Sequence, residues 1–481
     1  MRKGKKLKTD GILFCGQNSK DVTGSCIYIR YAGKQILLEC GLYQSASGSY
    51  LDAYNINSKK FRFKPEEIDY VFINHCHIDH LGLLPRLIKE GFKGKIIINS
   101  ITSTIGNALL RNSSYILEDE ARILSKRYKR NYLPIYDIGD VERVKDFYCI
   151  YDGYDKIFEL DENVKFQWLT NSHCIGACQL QLILNNGINT KKILYTSDIG
   201  SLNSKNHYVK ETHVPDFHND VVIMESTYGE VSRATDKSRE FDVRHIETAV
   251  DTVIGRGGSL IFPVFSFART QEILSTLYDS FGQNKDFRIP IIVDSLLSCE
   301  ICELYNIVLD DFNYNIWKKV YNWENVRFVT DKTESRGWIA NSHPKIVLSS
   351  SGFCSNGRVT GYLEKYLCDK NSMIVFSGYV GDNPSYLSYR IKNGKLNSEI
   401  KINRKKIPNK ADAISLSTFS SHANFKDLIE YGSNLKTEKL VLVHGSKKAK
   451  ENLSKDLKNK ISKNDKTYKV ISSEIGMILS L

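Results

Sequence analysis

The stretch "YVFINHCHIDHLGLLPRL", Tyr70 to Leu87, gathers three of the chain's eleven histidines around one aspartate. His75, His77, Asp79 and His80 form the pattern H-x-H-x-D-H. The apolar run before them reads as a buried strand, and Leu81, Leu84 and Leu87 recur after them at helical spacing. The four polar residues therefore occupy a strand-to-helix loop. In an extended turn alternate side chains point the same way, so His75 and His77 face one point, while Asp79 and His80, entering the helix, face a second. Neutral imidazole and carboxylate are zinc ligands at about 2.0 to 2.2 Å, so one loop begins two metal sites. A polar surface loop or satisfied core histidines are the plain alternative, and the density of ligands directly after a buried strand argues against it.

Two ions need further ligands, and later strand ends offer them. The runs "VKFQWLT", "LQLILNN", "KKILYTSDIG" and "DVVIMESTYG" read as strands, and His173 in "TNSHCIGAC", Asp198 in "YTSDIG" and His444 in "LVHGS" lie at or beside strand ends. A carboxylate such as Asp198 can bridge two cations about 3.5 to 4 Å apart and hold a hydroxide between them. Layered α/β folds collect chemistry at one sheet edge in this way.

A chain of 481 residues is expected to form two or three cores. "IYIRYAGKQILLE" reads as a hairpin, and Ser100 to about Lys145 as helical. From about Glu230 helices and strands alternate: "EFDVRHIETAVDTVIGRGG" is helical, while "SLIFPVF", "RIPIIVDS", "KIVLSSSGF" and "SMIVFSGYV" are buried strands of a parallel sheet. After Ala411 the strand-like runs each lead to a histidine, His422 and His444. The expected division is 1–229 for one α/β unit, 230–410 for a second unit inserted into it, and 411–481 for the return of the first.

Composition excludes several classes. No apolar stretch is long enough to span a bilayer, and the apolar run after the basic N-terminus is too short for a secretory signal, so no membrane partner and a cytoplasmic location are expected. Eleven scattered cysteines fit reduced thiols better than a disulfide framework. Cys299 and Cys302 form a C-x-x-C inside a helical pattern with no second pair at zinc-ribbon spacing, which favours a buried structural pair. A net charge of +12 suits polyanionic partners, although the runs "RKGKKLK" and "SKKAKENLSKDLKNKISK" read equally as a frayed tail and the solvated face of a helix.

These motifs resemble the metallo-β-lactamase superfamily and, within it, the β-CASP nucleases, from "VTGSCIYIRYAGKQILLECGLYQ" to "VHGS". The superfamily pattern matches His75, His77, Asp79, His80, His173 and Asp198. The β-CASP pattern adds Glu225 in "MESTYG", His422 in "FSSHAN" and His444. The resemblance implies an αββα sandwich with an inserted α/β β-CASP domain, the site lying in the cleft between them. It implies two zinc ions, one on His75, His77 and His173, the other on Asp79, His80 and His444, with Asp198 shared. His422 would donate a proton to the leaving oxygen or bind the scissile phosphate, and Glu225 would orient it. Asp79, His422 and Glu225 are thus the catalytic candidates. The implied reaction is hydrolysis of RNA phosphodiester bonds by a hydroxide activated between two metals, leaving a 5′-phosphate and a 3′-hydroxyl. RNA-directed members carry histidine where His444 stands, so single-stranded RNA is the expected substrate, with a homodimer or an RNA-processing complex as possible assemblies.

Arg269 in "SFARTQE" and Arg358 in "SNGRV" are candidate phosphate contacts, with a structural ion pair as their alternative. Ser350 and Ser351 are candidates for holding the RNA backbone, with a tight turn as theirs. Three positions depart from the family pattern. Glu39 in "LECGLYQ" stands where Asp is common, which lengthens by a methylene its contact behind the metal ligands. Asn424 replaces the Asp after "SHA", and Ser446 replaces the Glu of "VHGE". The weighed alternatives are a non-catalytic RNA-binding or scaffold subunit, a metallo-hydrolase acting on DNA or a small ester, and a flavodiiron-type oxidoreductase. The last is disfavoured because it would be expected to carry Glu where His77 stands.

Overall fold

The computed structural model describes residues 7, 9–45, 48–230, 238–378, 380–381, 383–463 and 468–481. The basic N-terminal run Arg2 to Lys8, apart from Leu7, lies outside the described residues.

Period-two alternation builds two seven-stranded sheets that share one dry interface. The first has the order Ile478–Ser480, Gly11–Phe14, Ile27–Tyr31, Lys34–Leu38, Tyr70–Phe72, Lys95–Ile98, Tyr148–Ile150. The second runs Lys469–Ser472, Lys436–Val443, His218–Glu225, Thr190–Tyr195, Cys178–Asn185, Val164–Thr170, Ile157–Glu159. The expected hairpin is present, its two-residue turn formed by Ala32 and Gly33 at φ 51° and 80°, the left-handed pair that matches strand twist. Phe14, Ile29 and Phe72 of the first sheet meet Phe166, Trp168, Leu180 and Ile223 of the second, Phe72 lying edge-on to Phe166 at 5.2 Å.

Helices cover both outer faces, which completes an αββα sandwich. The helix Ser100–Tyr128, capped by Asn99 accepting from the Thr102 N–H, lays Ile105, Leu109 and Leu117 over the first sheet. It is one 29-residue helix and stops at Lys129, which takes φ 50°. Helical structure expected as far as Lys145 resumes as the short helix Ile138–Glu142, started by an Asp137–Asp140 capping box, and a 3-10 turn over Val144–Phe147. Phe425–Asn434 and Lys447–Lys463 cover the second sheet through Leu428, Tyr431, Leu453 and Leu457. Lys447, Lys448, Lys455, Lys458 and Lys460 stand on the exposed side of the last helix, so this basic run is a solvated helix face. Lys450 by contrast is buried, donating to the Ser19 and Ser473 carbonyls at 2.6 and 2.7 Å.

From the helix Arg239–Gly255 to the strand Asp412–Ser415 the chain makes a second α/β unit. Its six-stranded sheet is parallel throughout, in the order Val326–Phe328, Ile291–Val293, Ile346–Ser349, Leu260–Pro263, Met373–Phe376, Asp412–Ser415. Asp412–Ser415 pairs with Met373–Phe376, past the boundary expected at residue 410. The strand-like run before His422 therefore belongs to the inserted sheet, and His422 lies on the loop that leads back into the sandwich. Cys299 and Cys302 are buried in the helix Leu296–Val308, and burial raises both thiols, Cys299 to about 11. That is the state of inert core sulfur.

Candidate active site

The ligand loop is fixed by backbone hydrogen bonds from the strand edges around it. Ser25 N donates to Asp79 O at 2.7 Å, Cys40 N to His80 O at 2.8 Å and Leu42 N to Ile78 O at 2.9 Å. Gly41 permits this approach, since a Cβ there would stand 1.7 Å from the Asp79 carbonyl oxygen. At the far side Gly445 packs on Ser226, where a Cβ would lie 2.4 Å from its Oγ, so the loop carrying His444 lies against the loop after Glu225. Asn171 ties two more ligand loops, donating to the Asp198 carbonyl at 2.7 Å and accepting from the His173 N–H at 3.0 Å.

The outcome is two clusters that share one carboxylate. His75, His77, His173 and Asp198 place one ligand atom each within 4.8 Å of one another, and so do Asp79, His80, Asp198 and His444. Asp198 Oδ2 lies 3.7 Å from His75 Nε2 and 3.2 Å from His80 Nε2, while its Oδ1 is 3.3 Å from His444 Nδ1. His77 Nδ1 and His173 Nε2 converge to 3.1 Å.

The electrostatics suit cations. Burial pushes His75 and His173 well below the ordinary histidine range and lowers His77 to about 4, so all three offer neutral nitrogens. Burial also disfavours charge on His80, yet Asp198, Asp79 and Glu39 outweigh it and raise the imidazole well above its ordinary range, so negative charge dominates at this end of the site. Asp198 is held well below the carboxylate range because His444 and His80 overcome its burial. Carboxylates this deeply enclosed need positive charge beside them. His75 Nε2 and Asp198 Oδ1 are buried with no hydrogen-bond partner among the described residues, and a cation bound there would supply what they lack. The donor set, imidazole nitrogens and carboxylate oxygens, fits zinc.

Behind the ligands, Glu39 fills the place expected for it. Its Oε1 accepts from Ser197 Oγ at 3.1 Å and the Asn74 N–H at 3.3 Å, Ser197 Oγ in turn lies 3.1 Å from His75 Nδ1, and His80 Nδ1 stands 3.6 Å from the same carboxylate oxygen. Beside the clusters, His422 Nδ1 lies 3.1 Å from Glu225 Oε1, with its ring edge-on to His173 at 4.6 Å. The Glu225 side chain is fully buried and also accepts from the Ile199 and Thr227 N–H groups. Asn424 caps the helix Phe425–Asn434 through a capping box with Asp427, and Ser446 Oγ caps the last helix by accepting from Ala449 N and bonds Glu230. Both departures from the family pattern thus have local structural work.

The substrate candidates divide. Arg269 is buried on a narrow cleft shared with His173 and Ser421, and burial lowers its guanidinium to about 10. Arg358 donates to Asp294 at 2.7 Å and to the Val329 and Thr330 carbonyls, the structural ion pair weighed as its alternative. Ser350 Oγ donates to Ser295 Oγ at 2.8 Å, and Ser351 Oγ contacts the Asn356 carbonyl at 3.4 Å. Sequence reasoning missed Ser197, Thr227, whose Oγ1 lies 3.0 Å from His444 Nδ1, and Phe267, whose ring lies 5.5 Å from that of His77. Proximity in sequence to Asp198 and Glu225 was the available signal for the first two. Phe267 had none.

Three family models match the chain: the metallo-beta-lactamase superfamily over residues 20–147, the Beta-Casp domain over 270–384, and the Zn-dependent metallo-hydrolase RNA specificity domain over 406–470. The chain belongs to the β-CASP branch of the metallo-β-lactamase superfamily. As a β-CASP protein it is a metal-dependent hydrolase. It is 26% identical over 446 residues to a ribonuclease of Thermus thermophilus, a match covering 89% of this chain and 91% of that protein. It is 26% identical to cleavage and polyadenylation specificity factor 73 of Drosophila melanogaster and 25% to the endoribonuclease ysh1 of Schizosaccharomyces pombe. Those matches cover 89% and 88% of this chain but 58% and 53% of the longer relatives. A crystal structure of a protein of unknown function from Enterococcus faecalis shares the fold, with a TM-score of 0.56 at 13% identity, covering 98% of this chain and all of that one. No helix among the described residues is long and apolar enough to cross a membrane.

Proposed function

We propose that this β-CASP protein is a zinc-dependent ribonuclease that hydrolyses phosphodiester bonds of single-stranded RNA, leaving a 5′-phosphate and a 3′-hydroxyl. The observation that carries the reading is the pair of ligand clusters sharing Asp198, with the His422–Glu225 pair beside them. His75, His77 and His173 would hold one zinc and Asp79, His80 and His444 the other, with Asp198 common to both clusters. When bound, the two cations supply an activated water and neutralise charge at phosphorus.

The chain's own residues do the rest. Glu225, buried and anchored by two backbone N–H groups, fixes His422 through Nδ1. The other ring nitrogen, Nε2, then delivers a proton to the leaving oxygen. Glu39 and Ser197 hold His75 in one orientation, as a group behind a metal-binding imidazole does. Arg269 meets a phosphate oxygen from the cleft wall, and the Ser350–Ser351 loop lies along the RNA backbone. The names of the ribonuclease relatives and the RNA specificity match support RNA over DNA.

The test is elemental analysis of the purified chain together with cleavage of 5′-labelled RNA and matched DNA by wild type, Asp79→Ala and His422→Ala. Two zincs per chain, with RNA cut by wild type and spared by both variants, are expected. Absence of bound metal, or RNA cleavage unchanged in Asp79→Ala, overturns the reading.

A further inference from the structure

Phe265 is an exposed phenyl ring on a loop held by hydrogen bonds along its length. It is 44% exposed, while Val264 and Phe267 on either side are buried. The loop joins the strand Leu260–Pro263 to the helix Arg269–Phe281 and is tied at each step. Val264 N donates to Ser349 O at 3.0 Å, the Phe265 carbonyl accepts from the Thr270 hydroxyl at 2.8 Å, and Arg269 N closes on Phe267 O at 2.7 Å. That last bond encloses Ala268 at φ 63°, ψ −53°, a rare γ-turn geometry that strained functional loops adopt. A mobile surface phenylalanine would not be built this way.

The ring has a back wall. Gly352 lies against its Cδ2–Cε2–Cζ side, where a Cβ would stand 3.0 Å from Cε2. Phe353 meets it edge-on at 5.2 Å and stacks on Tyr386 at 4.8 Å, and Tyr386 reaches across to the Ser45 carbonyl of the sandwich. Beside the aromatics, Ser266, Ser295 and Ser350 form a short chain of hydroxyls at 3.3 and 2.8 Å. Apolar ring and polar hydroxyls side by side suit a nucleotide, whose base is flat and whose sugar and phosphate are polar. Phe267, two residues further on, touches the ring of His77. Two residues span at most about 7 Å of backbone, so the loop that carries Phe265 is the loop that reaches His77.

We propose that Phe265 is the platform on which the nucleobase adjoining the scissile phosphate stacks, with Phe353 and Tyr386 bracing it. The proposal rests on the ribonuclease reading and names the part of the RNA that the inserted unit grips. Aromatic stacking tolerates every base, so the subsite positions the strand without dictating sequence.

The test is a cycle between protein and RNA. Affinity of the full chain in chelator is measured by anisotropy for a 5′-labelled oligoribonucleotide carrying one abasic residue at each position in turn, for wild type, Phe265→Ala, Phe265→Leu and Phe265→Tyr. Cleavage by the metal-loaded proteins is measured on the same set. One position is expected at which base removal weakens wild type by about 5- to 140-fold, the range of a single base–aromatic stack, with no further loss in Phe265→Ala or Phe265→Leu and near wild-type behaviour in Phe265→Tyr. The leucine variant keeps the apolar bulk and decides the matter if the alanine variant loses its fold. Equal abasic penalties in wild type and Phe265→Leu, or none at any position, overturn the stacking site while cleavage by wild type leaves the ribonuclease reading standing. A position-specific penalty in binding, with no RNA cut by loaded wild type, keeps the site and removes the nuclease.

Discussion

Replacing Glu272 by alanine should loosen the contact between the two units, because this carboxylate neutralises a buried basic cluster on the cleft wall. Glu272 Oε1 accepts from Arg239, its Oε2 accepts from the His207 N–H at 2.9 Å and faces His207 Nδ1 at 3.3 Å, and Arg269 lies nearby. The Arg239 and Glu272 side chains are only 9% and 6% exposed, so water cannot replace the lost partner. Removing one member of such a pair typically costs ~3 to 5 kcal/mol, against ~0 to 1 for an exposed pair. His207 adds its share. Burial alone would lower it, but hydrogen bonds to Asp279 and Glu272 raise it to about 9, although Asp279 is itself 60% exposed and screened. At about 1.4 kcal/mol per unit, and discounted for that exposure, the His207 couplings together are worth about 2 kcal/mol, of which Glu272 supplies about half. Glu272→Ala should therefore lose about 4 kcal/mol near pH 6, read from equilibrium urea unfolding by tryptophan fluorescence. Arg239→Met in the same background should recover at least half, since it removes the stranded charge and leaves apolar volume over Phe419. A loss under about 1 kcal/mol, or no recovery in the double variant, refutes the reasoning.

The same histidine sets a pH dependence: its folded pKa is raised from the ordinary 6.5 to about 9, so its stabilisation is complete below about pH 6.5 and disappears as pH rises through 9. Unfolding at about pH 6 and pH 9 should show that loss, about 2 kcal/mol, in wild type but not in His207→Gln; parallel curves would exclude it. Gly41→Ala puts a methyl 1.7 Å from the Asp79 carbonyl oxygen, so it should displace the Asp79–His80 turn and reduce bound metal, and full metal content by elemental analysis would contradict this. Thr227→Val removes the hydroxyl beside His444 Nδ1 and should weaken metal affinity about 10- to 100-fold in chelator competition, and unchanged affinity would deny Thr227 that role.

Much of the sandwich was legible because its strands alternate and its helices begin and end on local signals. "VKFQWLT" can bury Val164, Phe166 and Trp168 on one face only as a strand, and Asn99 announces the helix it caps. The ligand histidines were legible for a related reason: each follows or adjoins a buried strand, and six of the eleven histidines have one destination. The run before His422 misled because "AISLS" is a strand in either unit, and periodicity does not say which sheet a strand joins. That choice is made by the parallel partner Met373–Phe376.

What stayed hidden is long-range chemistry. Arg358 looked like a phosphate fork because it follows a strand in a polar loop, yet its partner Asp294 lies 64 residues away and is reached only once two parallel strands are side by side. Phe265, Phe353 and Tyr386 are single aromatic residues in three separate loops, each as fit for a core as for a surface. Candidate metal ligands betray themselves by their density, because several imidazoles and carboxylates at buried strand ends cost too much without a shared partner. A stacking platform carries no such penalty: its meaning comes from which neighbours leave part of the ring uncovered. The site therefore divides by legibility: the histidine and aspartate clusters are written in local motifs, and the aromatic loops are written in the packing of one unit against the other.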